Sequence, residues 1–283
     1  VLVQQQAVEC RFASSDSWVI LSPIEQSIKQ KIDTIGTPLK DWNINIYRGV
    51  LTGYNDAFII STEKRNEILA NCQTEDERTR TAELIRPILR GRDIKRYSYD
   101  WANLWLINTH NGIKGKIPRI QIENYPAIKA HLDQYWEKIS TRADKGDTPY
   151  NLRNCAYMED FSKPKIVWGN LNLTPNYALV ENNSFINAPS SMIVPASKYL
   201  LAILNSKIAD FYIKLLGVTR NGGYFEYKPM FIEQLPIPQL KIENKELAQI
   251  ERLIDNNNYT EIEYIVYNLY GLTQDEINYI NSL

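Results

Sequence analysis

The segment YLLAILNSKIADFYIKLL, residues 199–216, constrains the fold of this chain more than any other feature. Its apolar residues recur every three or four positions, which predicts a long helix with an apolar stripe along one side. Ser197 is placed to cap the start of this helix, and Gly217 to end it. The stripe consists of Leu201, Leu204, Ile208, Phe211 and Leu215. Because such a stripe is normally buried, we expect these side chains in a core rather than on a platform for stacked bases.

The rest of the chain alternates between short apolar runs and helical patterns. Strands are predicted at 43–50, 57–61, 104–107, 165–171, 176–181 and 185–194. Helices are predicted at 22–35, 62–84, 126–139, 244–256 and 259–270, with a last one opened by Thr273. These patterns indicate an α+β fold with a mixed β-sheet, packed helices and a helical C-terminal tail. We expect a connector and helix at 1–42, a main domain at 43–240 and the tail at 241–283.

Composition excludes several classes of protein. With 44% hydrophobic and 23% charged residues, the chain has the composition of a folded globular protein. The 3 cysteines form no paired pattern and the 2 histidines leave little room for a histidine-based metal site, so we expect a cytoplasmic protein without a disulfide framework. No apolar run approaches the roughly 18 residues that span a bilayer, so we expect no membrane partner. The chain begins without Met, which suggests part of a longer protein.

Motifs for catalysis are absent from the sequence. It contains no GxxxxGK[ST] phosphate loop and no GxGxxG dinucleotide fingerprint. The string nearest to the Pro-Pro-aromatic loop of an amino-methyltransferase is Thr148-Pro149-Tyr150, which lacks one proline and the polar head. Glu243-Asn244-Lys245 matches half of a nuclease site, but it lies alone in an acidic tail. We therefore expect no catalytic residue, metal site or cofactor site in this segment.

The net charge of −1 hides an uneven distribution. Residues 241–283 contain 3 basic and 8 acidic side chains, which leaves 29 basic and 25 acidic residues before them. Much of the basic charge lies in three loops that also contain aromatic or amide groups. These are Arg86, Arg90, Arg92, Lys95 and Arg96 with Tyr97 and Tyr99; Arg142, Lys145, Tyr150 and Arg153 with Lys163 and Lys165; and Arg220, Asn221, Gly222, Gly223, Tyr224 and Lys228. Such groups suit phosphate oxygens and base edges.

Other interpretations of these loops remain open. Basic runs are commonly solvated surfaces, and the RGRD string at 90–93 could form structural ion pairs with the acidic tail. Trp168 is expected in the core rather than as a stacking platform. The glycine pair at 222–223 could simply end a helix beside a solvated arginine.

Four long segments carry a resemblance to a known family. They are YRGVLTGYNDAFII, LIRPILRGRDIKRY, DKGDTPYNLRNCAYMEDFSKPKIVW and YLLAILNSKIADFYIKLLGVTRNGGYFEYKPMFIEQLPIP. In this order they resemble the TaqI-like C-terminal specificity domain, over about residues 18–280. That domain closes bacterial restriction-modification proteins, of type IIG or BREX-like organisation, in which an adenine-specific DNA methyltransferase shares one chain with its DNA reader.

The resemblance implies a target recognition domain that binds duplex DNA and serves a methyltransferase domain of the same parent chain. The parent would use S-adenosylmethionine and, where it also cleaves DNA, Mg²⁺. The stretch 151–171 would belong to a scaffold that places Arg153 and Lys165 against phosphates, with Trp168 packed beneath. The DNA-binding candidates are Arg48, Thr52, Asn55, Arg90, Arg92, Arg96, Lys145, Tyr150, Arg153, Lys165, Arg220, Asn221, Gly222, Gly223 and Tyr224. Two rival functions are a protein-interaction scaffold or specificity subunit without direct catalysis, and a self-contained hydrolase.

Overall fold

A computed structural model of the protein describes residues 21–181, 183–217, 219–240 and 245–283. The start of the predicted connector, at 1–20, and the string Glu243-Asn244-Lys245 up to residue 244 lie outside the described residues. The helices are α1 (Pro23–Ile35), α2 (Asn55–Phe58), α3 (Thr62–Ala70), α4 (Glu75–Leu84), α5 (Pro126–Asp133), α6 (Trp136–Thr141), α7 (Lys198–Leu204), α8 (Lys207–Leu216), α9 (Pro229–Ile232), α10 (Lys245–Asp255), α11 (Tyr259–Leu269) and α12 (Gln274–Ser282). The strands are β1 (Thr37–Pro38), β2 (Asn45–Arg48), β3 (Ile59–Ser61), β4 (Ile85–Leu89), β5 (Leu104–Ile107), β6 (Lys165–Trp168), β7 (Leu171–Asn172), β8 (Tyr177–Val180), β9 (Phe185–Ile186), β10 (Ser191–Val194), β11 (Phe225–Glu226) and β12 (Pro236–Ile237).

The chain folds into two compact units. The first, which we call the sheet unit, consists of Asn45–Asn170 and Asn176–Ser197. The second, the helical unit, consists of the described residues of Val1–Ile44, Leu171–Pro175 and Lys198–Leu283.

Two four-stranded sheets organise the sheet unit. One has the order β2-β10-β6-β8 and is antiparallel throughout. The other has the order β3-β5-β4-β9, in which β9 runs parallel to β4. The inner strands β6 and β10 are buried along their whole length, so their side chains are buried on both faces of the sheet. Trp168, at the end of β6, has no exposed surface, which confirms its predicted core position.

The apolar stripe of 199–216 lies in the core of the helical unit. Leu201, Leu204, Ile208 and Phe211 are buried, as predicted, and Leu215 is half-buried. The predicted single helix is divided into α7 and α8, because Ser206 interrupts it and its Oγ accepts a hydrogen bond from the Ala209 N–H at 3.2 Å. Helix α7 packs against the tail helices α10 and α11.

The two units do not follow the predicted domain boundaries. The division after Ile44 lies close to the predicted start of the main domain at 43, but the described residues of 198–240 belong with the tail helices. Side-chain contacts explain this grouping. The Tyr199 hydroxyl donates to the Pro238 carbonyl at 2.7 Å, and Lys198 forms an ion pair with Asp255 of α10. The α+β class itself is confirmed by the mixture of helices and sheets.

Candidate nucleic-acid interface

Arg48 ends the edge strand of the antiparallel sheet. In the register of that sheet, Ser191 of β10 lies opposite Arg48 on one side and opposite Trp168 on the other. Trp168 is buried, whereas Arg48 is exposed and its guanidinium forms no hydrogen bond or ion pair with the described residues. The register therefore places a cation without a counter-charge at one end of the sheet.

The RGRD turn at 90–93 contains one ion-paired arginine and one exposed arginine. The buried Asp93 carboxylate accepts hydrogen bonds from the Arg90 backbone N–H at 2.8 Å, from Nε at 3.0 Å and from Nη2 at 2.7 Å. These side-chain hydrogen bonds raise the pKa of Arg90. Arg90 thus stabilises its own turn rather than pairing with the tail. Arg92 is exposed, and its guanidinium contacts no partner in the described part of the chain.

Ser190 contacts the residue that follows Arg48, Gly49, and the residue that precedes Arg92, Gly91. Its carbonyl accepts a hydrogen bond from the Gly49 N–H at 2.8 Å. A Cβ atom added to Gly91 would lie 3.1 Å from the Ser190 Oγ and 3.3 Å from the Gly169 Cα. The turn therefore packs against the same end of the sheet at which β2 ends. We call Arg48, Arg92 and the segment at Ser190 the sheet-end surface.

Arg96 is also exposed, and its guanidinium carbon lies 5.2 Å from the centre of the Tyr97 ring.

Arg142 holds together the second basic loop, so it is a structural residue rather than a surface cation. It is 7% exposed, and its guanidinium donates to the carbonyls of Asp144 at 3.0 Å, Pro149 at 2.7 Å and Asn151 at 2.6 Å. Its charge lies 4.3 Å from the centre of the Phe58 ring. Burial lowers the pKa of Arg142 to about 10. Sequence patterns did not separate this residue from its exposed neighbours.

Two exposed residues of the second loop, Lys145 and Arg153, and the half-buried Tyr150 each contact a nearby residue. Arg153 forms an ion pair with Asp144 at 2.8 Å. Lys145 donates to the Ser140 carbonyl at 2.6 Å. The Tyr150 hydroxyl donates to the Asp133 carboxylate at 2.6 Å. The Arg153–Asp144 ion pair is partly exposed, so a phosphate could replace Asp144 at small cost.

The turn after β2 lies beside this loop. A Cβ atom added to Gly53 would lie 2.7 Å from the Asp144 carbonyl oxygen. Thr52 is 2% exposed and donates its hydroxyl to the exposed Asn55 side chain at 2.6 Å. Thr52 is therefore placed to orient Asn55, not to contact a ligand through its own hydroxyl.

Lys165 does not occupy the predicted position against a phosphate. It lies on the inner strand β6 with no exposed surface, and its ammonium donates to the Phe161 carbonyl at 2.8 Å. Burial lowers the pKa of Lys165 to about 8. The predicted phosphate contact is therefore wrong, because the core encloses the ammonium group.

The third loop, 220–224, belongs to the helical unit. Arg220 forms an ion pair with Glu226 at 2.6 Å, and its backbone N–H donates to the Tyr224 carbonyl at 2.7 Å. Asn221, Gly222, Gly223 and Tyr224 are all exposed. Gly222 and Gly223 have φ of 77° and 79°, values that favour glycine. The loop is thus a closed, exposed turn next to an ion-paired arginine.

The motifs of the sequence do not mark the Gly/Lys loop at 111–119 as a DNA contact. It lines a cleft of about 820 Å³ in the sheet unit together with Asp147 and residues 154–156. Its signal is the string Lys114-Gly115-Lys116, a pair of cations around a glycine.

The described ranges contain no cluster of three His, Cys, Asp or Glu side chains suited to hold a metal ion. Over the same ranges, no helix is sufficiently long and apolar to cross a membrane.

Comparison with known proteins gives consistent results. Residues 86–237 match the TaqI-like C-terminal specificity domain. The chain is 19% identical over 272 residues to the type II methyltransferase M.XhoI of Xanthomonas vasicola, an alignment that covers 93% of this chain and 46% of that protein. The chain thus spans about half the length of this curated relative.

Restriction-modification enzymes are among the solved structures that share the fold. The type IIL restriction-modification enzyme MmeI, solved in complex with DNA, matches with a TM-score of 0.59 and 13% identity over 87% of this chain and 37% of its own. The type IIG restriction endonuclease BpuSI matches with a TM-score of 0.54 and 13% identity over 88% and 33%, respectively. At these identities the likeness establishes the fold alone. Since the family match covers more than half of the chain, the protein belongs to the family of TaqI-like C-terminal specificity domains.

Proposed function

We propose that this chain is the target recognition domain of a restriction-modification enzyme, which binds a short duplex DNA sequence and presents it to an adenine-specific methyltransferase domain of the parent protein. The observation that carries the proposal is the sheet-end surface. Arg48 and Arg92 are exposed there, and neither guanidinium has an acidic partner among the described residues. Cations without a counter-ion are the groups that phosphate oxygens attract most strongly.

The arrangement around this surface suits a DNA reader. Phosphate contacts fix the position of a protein on a duplex, while nearby amide and arginine side chains read base edges. Asn55, oriented by Thr52, and Arg153, paired with Asp144, lie in the same unit, in which the turn at Gly53 contacts Asp144. The methyl donor S-adenosylmethionine, and Mg²⁺ where the parent also cleaves DNA, would bind in parts of the parent outside this segment.

A gel-shift titration over a range of salt concentrations tests the proposal. For the chain on a duplex library we expect a log–log slope steeper than about −3, since each phosphate contact contributes about −0.9. Arg48→Ala with Arg92→Ala should reduce this slope by about 2, while Lys64→Ala on α3 should leave it unchanged. No binding to any duplex, or binding independent of salt, would instead favour a protein-interaction scaffold.

Methylome sequencing tests the link to adenine methylation. The source strain should lose one N6-methyladenine motif when the parent gene is deleted. Replacing the parent's copy of Arg48 and Arg92 by alanine should reduce methylation at that motif. An unchanged methylome after deletion would contradict the proposed role of the parent.

A further inference from the structure

The loop at 111–119 forms a small hairpin with a tightly determined shape. Ile113 and Ile117 pair as an antiparallel bridge, with N–H···O distances of 2.8 and 2.9 Å. Gly112 has a φ of 73°, and a Cβ atom added there would lie 2.3 Å from the Ile117 carbonyl oxygen. Glycine is therefore required at the base of the hairpin. We call Lys114-Gly115-Lys116 the hairpin tip.

The base of the hairpin is anchored to the neighbouring loop. The Asn111 side chain donates to the Asp147 carboxylate at 3.0 Å and accepts from the Asp147 backbone N–H at 2.9 Å. It also contacts the Asn154 side chain. A Cβ atom added to Gly146 would lie 2.5 Å from the Asn111 Oδ1, so the two loops are in close contact. The hairpin is therefore a fixed wall of the cleft.

The charge of the cleft is basic. Lys114 is exposed, and its ammonium has no hydrogen bond or ion pair to the described residues. Lys116 pairs with Glu159 in a contact in which the side chains are 61% and 49% exposed. Arg119 is 3.4 Å from Asp147, which is a long contact. Exposed pairs of this kind contribute little to stability, so they can be exchanged for a phosphate.

The backbone at the hairpin tip is accessible. A Cβ atom added to Gly115 would meet no atom within 4 Å, and Gly115 has a φ of 77°. A backbone without a side chain at such a turn can approach an anion closely and donate its N–H groups. Lys114 and Gly115 thus offer an ammonium group and an open backbone side by side.

We propose that the cleft between the hairpin and residues 154–156 holds the sugar–phosphate backbone of the duplex, with Lys114 as its principal phosphate ligand. The proposal rests on the proposed function and adds a second contact surface to the sheet unit, besides the sheet-end surface. Lys116 and Arg119 provide further positive charge, and Asp147 moderates it. This contact positions the duplex and reads no base, because lysine recognises a phosphate as a point charge.

Salt titrations of point variants test this inference on the intact chain. Lys114→Ala should weaken binding to all duplexes alike and reduce the log–log salt slope by about 1. Asp147→Asn should strengthen binding several-fold, since it keeps hydrogen-bonding capacity toward Asn111 and removes the charge beside Arg119. Lys64→Ala, which removes an equal charge outside the cleft, serves as the matched control. Equal melting temperatures would verify that each variant is folded.

Acetylation footprinting with mass spectrometry gives an independent readout. Saturating duplex should protect Lys114 at least several-fold, and Lys64 should react equally with and without DNA. If the native chain binds DNA with a steep salt slope but Lys114→Ala behaves like Lys64→Ala, or Lys114 is not protected, the inference is overturned while the proposed function stands. If the native chain binds no duplex, the proposed function fails first.

Discussion

Arg90 and Arg92 are two residues apart in one turn, yet their guanidinium groups have different environments. Arg90 neutralises the buried Asp93, whereas Arg92 is exposed. We expect Arg90→Ala to lower the free energy of unfolding by roughly 1–3 kcal/mol, because it leaves a buried carboxylate with fewer partners. Arg92→Ala should leave stability unchanged and reduce the salt slope of DNA binding by about 1.

Urea unfolding and gel-shift titrations of the two single variants measure these effects separately. The reverse result, a stability loss with Arg92→Ala and a slope change alone with Arg90→Ala, would contradict the assignment of roles.

The buried Lys165 leads to a prediction about pH. Burial lowers its pKa to about 8 in the folded protein, compared with about 10.4 in an unfolded chain. Between these values the unfolded state binds more protons, so the contribution of Lys165 makes the protein more stable as the pH rises through this window. Lys165→Met should abolish this rise without changing DNA affinity. Unfolding by denaturant at pH 7.5 and at pH 10 checks the first statement, and a gel shift the second.

The burial of Lys165 could not be predicted from residue type. Its strand lies between β10 and β8 and is buried on both faces, so no alternation of polar and apolar positions marks a solvent side. The same holds for Arg142, whose role depends on three carbonyl groups that converge only in the folded loop. By contrast, Arg48 and Arg92 are exposed, and their role in DNA binding stays a prediction.

At the scale of elements, capping residues predict where helices begin. Helical periodicity alone does not predict where a helix is interrupted. The capping boxes at Ser22 and Thr273 are both present, and the strand at 104–107 has its predicted bounds. The predicted helix at 62–84 is broken, because the Thr74 hydroxyl accepts from the Glu77 N–H and starts a new helix, α4. Polar residues with capping ability inside a helical pattern were the signal for such breaks.

The loop at 220–224 gives a prediction at this scale. Gly222 has a φ of 77°, and an added Cβ atom would contact nothing closer than 3.6 Å, so space is available but the backbone conformation disfavours a branched side chain. Gly222→Val should change the loop conformation and weaken specific DNA binding. Gly222→Asn should retain binding, because asparagine tolerates positive φ.

Competition gel shifts with specific and random duplexes, together with circular dichroism, distinguish the two variants. Equal specific binding by both, with intact folding, would remove this loop from the proposed DNA interface.

At the scale of the whole molecule, the periodicity of the sequence predicts the fold class, whereas the resemblance predicts the family. Periodicity and caps indicated an α+β protein, but the grouping of α7–α9 with the tail depends on long-range contacts such as that of Tyr199 with Pro238. Long motifs in a fixed order identify the family. Short motifs do not, because contacts with base edges and phosphates require no fixed residue spacing. Composition alone does not favour a DNA reader, because basic runs are commonly solvated surfaces.

Helices α1 and α12, near the two ends of the described chain, meet in the helical unit through the Glu276 carboxylate. The Glu276 carboxylate of α12 accepts hydrogen bonds from Lys31 at 2.6 Å and Ser27 at 2.7 Å, both on α1, and from the Thr273 N–H at 2.7 Å. Burial alone would raise the pKa of Glu276, but these hydrogen bonds outweigh it and lower the pKa to about 2. The contact is therefore formed with an ionised carboxylate.

Acid should accordingly destabilise the helical unit through Glu276. Because the pKa is about 2 in the folded state and about 4.3 in an unfolded chain, its contribution is fully present above pH 4.3 and is lost as the pH falls toward 2. The shift corresponds to roughly 2–3 kcal/mol. Glu276→Gln should lower stability at pH 7 and flatten the acid dependence, whereas Glu75→Gln, at a side chain that is 88% exposed, should do neither. Hydrogen exchange of the α1 and α12 amides at pH 7 and pH 3.5 locates the effect, and equal acid dependence in the native protein and Glu276→Gln would exclude this carboxylate as its source.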